Sequence, residues 1–216
     1  VFNNNYTEAN PLTNSAKLDN VTIQNGYANG TGAGMYNYYA RPEITNCTFT
    51  NNSAYSGGGM YNGFSSSPVL TNCTFANNSA ENYGGGMYNY GYNGTCNPVL
   101  TNCILWGNTA SSSGNEIYNY SLSKLTIDTC IIKGGKDGIY NSYGTYTNII
   151  TADPKLMPLG NYGGSVLTCP VGAGSSAISK GKKISGIITD ARGFARSSTP
   201  TIGACEYQNK FIVASI

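Results

Sequence analysis

Cysteine, tyrosine, asparagine and a few carboxylates are the side chains with chemistry to offer in this 216-residue chain, which carries 7 Cys, 18 Tyr and no His. Without histidine the commonest general base near neutral pH and the commonest metal ligand are missing, so triad hydrolases and histidine-bound zinc sites are excluded. Cys47, Cys73, Cys103 and Cys130 are spaced 26, 30 and 27 residues apart, and Val21 stands 26 before the first. Four thiols in a column would suit a soft metal, but valine in the equivalent place favours packing, because a free cysteine behaves as a small buried hydrophobe. No metal and no cofactor is expected. Cys96 lies in the inserted loop YNGTC and is expected near the surface.

Glycan lyases and hydrolases need clustered carboxylates, either to hold Ca²⁺ or to act as an acid and base pair. Asp19, Glu43, Glu81 and Glu116 occupy unlike places along the chain, and Asp128, Asp137 and Asp153 with Lys133 and Lys136 read as solvated turns. No catalytic residue is assigned. Asp190, Arg192, Arg196 and Glu206 are expected to pair and fix loops. Tyr36, Tyr61, Tyr88, Tyr118 and Tyr140 are expected as an outward stripe, a binding or assembly surface that stacks on sugars or a neighbouring molecule, or that simply stabilises the sheet beneath it. Further tyrosines, Tyr38, Tyr39, Tyr90, Tyr92, Tyr120 and Tyr143, are expected in variable loops beside it.

What places these residues is a repeat. ITNCTFTNNSAYSGGGMYN at 44–62 returns as LTNCTFANNSAENYGGGMYN at 70–89, with looser copies at 18–37, 100–119 and 127–141. A period near 26 to 30 residues, with length changes confined to Gly, Ser and Asn, marks a solenoid. The 28 Gly and many Thr, Tyr and Asn disfavour helix, while apolar residues two apart, as in Cys73-Thr74-Phe75, suit half-buried strands. Leu70 lies three before Cys73, so a bend is needed for both to face inward. Asn20, Asn46, Asn72 and Asn102 supply it, since Asn readily takes the left-handed conformation. Thr129 replaces Asn in the fifth copy, and a different bend is expected there.

The predicted fold is therefore all-β, a parallel β-helix of about five to seven coils with an irregular C-terminal module. Its inward columns are Val21–Cys47–Cys73–Cys103–Cys130, Ile23–Phe49–Phe75–Leu105–Ile132 and Met35–Met60–Met87–Ile117–Ile139. Asn52, Asn78 and Asn108 are expected to stack as an amide ladder. The glycine triplets at 57–59 and 84–86 read as strand starts with no room for a side chain, not as a phosphate loop. The chain divides into an N-terminal tail at 1–17, coils at 18–150, an end module at 151–208 and a tail at 209–216.

Charged residues make up 10% against about 25% in an average domain, and the net charge is +2, which argues against nucleic acid as a partner. No apolar run approaches the roughly 18 residues of a membrane span. The chain starts at Val1, and export followed by cleavage is expected, giving an extracellular or cell-surface location; nine Asn-X-Ser/Thr sequons are present without proving any glycan.

Gly-Gly-Gly-Met with Phe-x-x-Asn resembles the repeats of chlamydial polymorphic membrane proteins. ADPKLMPLGNYGG at 152–164, GSSAIS at 174–179, TDARGFAR at 189–196 and TIGACEY at 201–207 resemble the C-terminal module of right-handed β-helix proteins of the choice-of-anchor Q type. The resemblance implies a right-handed coil and a secreted or surface chain, and transfers no catalytic residue. Cys169 and Cys205 depart from it, standing where bulky apolar residues are usual, and the coupled change leaves open a disulfide between them. The expected role is a non-enzymatic structural or adhesive protein, partnered by copies of itself or other surface proteins and stacking end to end into a fibre through open strand edges. The alternative is a module that binds, or less readily cleaves, carbohydrate, with glycans as partners.

Overall fold

The computed structural model describes residues 16–92 and 94–209, together with the backbone of residues 2–5. The chain winds as a parallel β-helix with three sheets. A bent ten-stranded sheet has one limb made of Lys17–Asp19, Glu43–Thr45, Val69–Thr71 and Val99–Thr101, and a second made of Thr22–Gln24, Thr48–Thr50, Thr74–Ala76 and Ile104–Trp106. The long strand Leu125–Ile132 joins both limbs, and Gly144–Ile150 pairs with it to begin a sixth coil. A six-stranded sheet stacks Phe2–Asn5, Met35–Tyr38, Met60–Gly63, Met87–Gly91, Ile117–Ser121 and Ile139–Tyr140. A four-stranded sheet made of Tyr27–Thr31, Ser53–Ser56, Ser79–Tyr83 and Thr109–Ala110 closes the triangle. Residues 2–5, expected in the N-terminal tail, are thus a strand in register with Met35–Tyr38.

Like sits over like. Phe49 pairs with Phe75, their rings 4.5 Å apart and nearly parallel, and Met60 faces both Met35 and Met87. The three inward columns, with a fourth made of Leu18, Ile44, Leu70, Leu100, Ile127 and Tyr146, form the principal core. The bend between the two limbs is carried by left-handed Asn20, Asn46, Asn72 and Asn102, with φ between 52° and 56°. Thr129 takes the same conformation at φ 56°, against the expectation of a different bend. Its hydroxyl donates to the Asp128 carboxylate, and the register of the neighbouring coils holds it where a β-branched residue is ordinarily disfavoured.

Two amide ladders run inside the solenoid. Asn52 Nδ2 donates to Asn78 Oδ1 (2.9 Å) and Asn78 Nδ2 to Asn108 Oδ1 (2.8 Å), while each amide also bonds a carbonyl of the preceding coil. The second ladder, Asn37–Asn62–Asn89–Asn119, is linked by 2.8 Å bonds of the same polarity. Its sequence signal was the alternation Met-in, Tyr-out, Asn-in, which places the asparagine of every MYN inside. Glycine is required at Gly59 and Gly86, where a Cβ would stand 2.5 Å from the next coil's carbonyl oxygen.

Residues 151–209 do not cap the last coil. They lie along the flank of the second limb, with Val171, Ala177 and Ile202 packed on Ile104 and Ile131. The Thr22 hydroxyl donates to the Leu167 carbonyl, Ala204 N donates to Thr74 Oγ1 (3.1 Å), and Asn102 Nδ2 donates to the Lys182 carbonyl (2.7 Å). Contacts from the first coil to the fifth make the module a side cover, because the outer face of that limb carries Ile104, Ile131 and part-buried Trp106, which need covering.

Candidate binding and assembly surface

The six-stranded sheet turns its tyrosines outward on a period of two, in two columns. The first is Tyr36–Tyr61–Tyr88–Tyr118–Tyr140, in register throughout. Its ring centroids are 5.1, 5.4, 5.2 and 4.5 Å apart in that order, stacked at both ends and edge-to-face in the middle. The central rings meet edge-to-face, one of the two arrangements that aromatic pairs favour. Tyr83 and Tyr90 close over them from the sides. The stripe faces outward as expected, but Tyr61, Tyr88 and Tyr118 are consequently buried beneath neighbouring rings, only 6–8% exposed. Burial, and secondarily the neighbouring phenols, pushes the Tyr36, Tyr61, Tyr88 and Tyr118 hydroxyls above their ordinary pKa.

The second column is Tyr38–Phe64–Tyr90–Tyr120, with centroid separations of 4.5, 6.0 and 5.1 Å. Gly63 holds the strand position between Tyr38 and Tyr90, and Phe64, in the left-handed conformation at φ 51°, swings its ring into the gap. Tyr38, Tyr90 and Tyr120 therefore sit on strands, where loops were expected. Tyr120, Tyr140, Tyr92 and Tyr143 are exposed, the last at 67%, and Leu122 stands beside them at 64%. The strands of this sheet carry no charged residue.

The thiols are consumed by packing. Each cysteine of the main column lies inside the solenoid, its sulfur facing the carbonyl of the Leu or Ile position one coil back: Cys47 to Leu18 (3.6 Å), Cys73 to Ile44 (3.5 Å), Cys103 to Leu70 (3.7 Å) and Cys130 to Leu100 (3.6 Å). Cys96 is fully buried, contrary to its expected place at the surface. It belongs to a further inward column, Ala40–Ser66–Cys96–Ser123, and contacts the Asn62 and Tyr90 carbonyls at 3.3 Å, much as Ser123 bonds those of Asn89 and Tyr120. The signal was present: Ala40, Ser66 and Cys96 each stand two before a proline. Cys169 and Cys205 are free, so no disulfide joins them. Each sulfur has its own neighbour, Thr50 for Cys169 and Thr168 for Cys205, and burial pushes the two thiols up to about 11 and about 12.

The buried carboxylates are likewise engaged. Asp190 accepts from the Arg192, Phe194 and Glu206 backbone amides and pairs with the Arg192 guanidinium at 2.7 Å, both side chains fully buried. Arg196, 3.7 Å from Glu206, donates to Asn46 Oδ1 (2.9 Å) and ties the module to the second coil. Asp128 pairs with Lys182, whose contact holds its carboxyl below the ordinary range. Asp137 lies in the 3-10 turn Gly135–Gly138, and Asp153 accepts from Lys155 N (2.7 Å). Glu116, missed as a special residue, is buried inside the fourth coil at the end of the Asn52–Asn78–Asn108 ladder, and burial pushes its carboxyl up to about 7 against donors from Asn108 and Gly107. Among the described residues no group of three or more His, Cys, Asp or Glu could hold a metal ion, and no helix is long and apolar enough to cross a membrane.

No curated protein and no solved structure matches the chain at a significant level. The profile of the family described as the right-handed β-helix region matches residues 2–153, which spans more than half of the chain and every strand named above. With its parallel coils, stacked inward columns and that match, the chain belongs to the right-handed β-helix family.

Proposed function

We propose that the chain is a non-enzymatic structural or adhesive element of an extracellular or cell-surface assembly. The observation that carries this reading is the pairing of a heavily cross-bonded scaffold with an aromatic face whose strands carry no charged residue. Inside, the Asn ladders and the cysteine column hold the coils together, the buried Asp190–Arg192 pair fixes the module's own loops, and Arg196 ties the module to Asn46. Outside, Tyr92, Tyr120, Tyr140, Tyr143 and Leu122 remain exposed on one face, and exposed apolar groups gathered in one place mark contact surfaces. The test is adhesion of chain-coated beads to cells, with Tyr92→Ala/Tyr120→Ala as the partner variant. Loss of adhesion in a variant that unfolds like the parent supports the reading, and unchanged adhesion sinks it.

A second reading, glycan binding, is favoured by one observation: Tyr90 and Tyr120 stack 5.1 Å apart with Tyr92 beside them, on strands that carry no charge and suit a neutral sugar chain. Retention on a glycan array that disappears with the same double variant supports it. Release of reducing or unsaturated ends from any polysaccharide would overturn the non-enzymatic assignment.

A further inference from the structure

The core stops in mid-stack at both ends of the solenoid. Leu18 and Val21 at one end, and Tyr146 and Ile149 at the other, are only partly buried against the principal core, whereas the residues between them in the same columns are buried. Among the described residues, the outer edges of Lys17–Asp19, Thr22–Gln24 and Gly144–Ile150 have no strand beside them. An unpaired parallel edge over an open core is a template for another strand.

We propose that the two ends join between copies, so that a second copy of this chain seats Lys17–Gln24 against Gly144–Ile150 in the register its own coils already use. The proposal rests on the structural reading above and names the partner of that assembly. Continuing the register sets Thr145 against Lys17, Tyr146 against Leu18, Thr147 against Asp19, Asn148 against Asn20 and Ile149 against Val21, the pattern in which Leu125–Ile132 meets Gly144–Ile150 within the chain. Both apolar ends become interior. No like charges meet, because Lys17 and Asp19 face threonines.

The bend agrees as well. Asn148 and Asn20 are both left-handed, at φ 53° and 56°, so the two edges turn the same corner. Along this corner the later coil donates to the earlier: Asn46 to Asn20 at 3.2 Å, Asn102 to Asn72 at 3.0 Å, and Asn148 to Asp128. Asn20 of the second copy extends that polarity by donating to Asn148. The overhangs interlock too. Phe2–Asn5 projects one level beyond the first coil in the six-stranded sheet, and Gly144–Ile150 projects one level beyond the fifth in the bent sheet, so they occupy different faces of one shared level, with Ile139–Tyr140 meeting Phe2–Asn5. Such a head-to-tail contact does not use itself up and propagates into a filament.

The deciding experiment is a disulfide trap in the full chain, Asp19→Cys/Thr147→Cys. Facing residues of adjacent strands stand about 4.8 Å apart, within disulfide reach, while five coils separate these two positions within one chain by about 24 Å. Oxidation should produce a ladder of covalent multiples, and either single variant should stay a single chain, because its one new thiol faces a native threonine or aspartate across the joint. The native thiols are buried and supply little background. Val21→Glu/Ile149→Glu should bring the average mass by sedimentation down to one chain with an unchanged circular dichroism spectrum. If that variant fails to fold, the trap still decides. No ladder, with the folded chain monomeric at every concentration, overturns the joint; so does protection in the monomer of those Gly144–Ile150 amides that point away from Leu125–Ile132, which would show the chain's own tail on that edge. A monomer that still adheres through Tyr92 and Tyr120 removes the joint and leaves the structural reading standing, whereas polysaccharide cleavage removes that reading whatever the mass.

Discussion

The side-chain amide of Asn108 donates to the Glu116 carboxylate, which fills the place where the fifth coil has no asparagine to offer. By register that place belongs to Gly135, three after Ile132 as Asn108 is three after Leu105. Glu116 in turn stands at the position held by Gly34, Gly59, Gly86 and Gly138, directly before the inward Met or Ile. A side chain fits there because the fifth coil replaces the third short strand with the 3-10 turn Gly135–Gly138. Each ladder amide points one N–H toward this end and the other to a carbonyl of the preceding coil, so an acceptor terminates the forward series, and burial opposes its charge.

Glu116 should therefore make stability depend on pH. Its carboxyl is raised from an ordinary 4.5 to about 7, so the folded chain holds a proton that the unfolded chain releases. The contribution is present below about 4.5 and is lost as pH rises toward 7, amounting to roughly 3 kcal/mol at about 1.4 kcal/mol per unit. Urea titrations should show the native chain weakening across that window and Glu116→Gln holding level. An equal slope in both sinks the assignment.

Asn78→Ala should be severe. Its Oδ1 accepts from Asn52 N and Nδ2, and its Nδ2 donates to Phe49 O and Asn108 Oδ1, all inside the protein. Each partner left unmatched costs about 1–3 kcal/mol, so a total of roughly 3–6 kcal/mol is expected in the unfolding free energy. A loss under about 1 kcal/mol would mean that water replaces the ladder.

The two kinds of tyrosine should separate. Tyr88→Ala removes a ring that is 8% exposed and should cost about 3–5 kcal/mol, as for other buried aromatics, whereas Tyr92→Ala, at 51%, should stay within about 0.5 kcal/mol. Equal thermal shifts for the two would show that the first column is not packed as described.

All seven cysteines are buried and free, and Cys96, Cys169 and Cys205 are raised to about 11, 11 and 12. A thiol reagent at pH 8 should label the native chain hardly at all and the unfolded chain seven times. Reductant should leave the melting temperature unchanged. A reductant-sensitive melt would reinstate a Cys169–Cys205 bridge.

The coil architecture was legible because a solenoid repeats its environment: TNCTF and GGGMYN meet the same neighbours in each turn, so spacing alone names the columns and the bend at Asn46 and Asn72. The buried Asn37–Asn62–Asn89–Asn119 ladder was equally present in MYN, but the tyrosine between drew the eye outward. The two prolines after Ser66 and Cys96 marked a shared inward column that an inserted loop disguised.

What the amino-acid order alone determined is thus everything set by nearest coils: parallel pairing, inward and outward parity, left-handed corners. What only the tertiary structure decided is everything that depends on contacts off the period. The module at 151–209 lies on the flank because Ile104 and Ile131 face outward there, Tyr61 and Tyr88 are buried because rings on neighbouring strands tilt over them, and Glu116 takes an asparagine's place because the fifth coil changes its turn. Those arrangements join residues at unrelated separations along the chain, and a repeat holds no information about them.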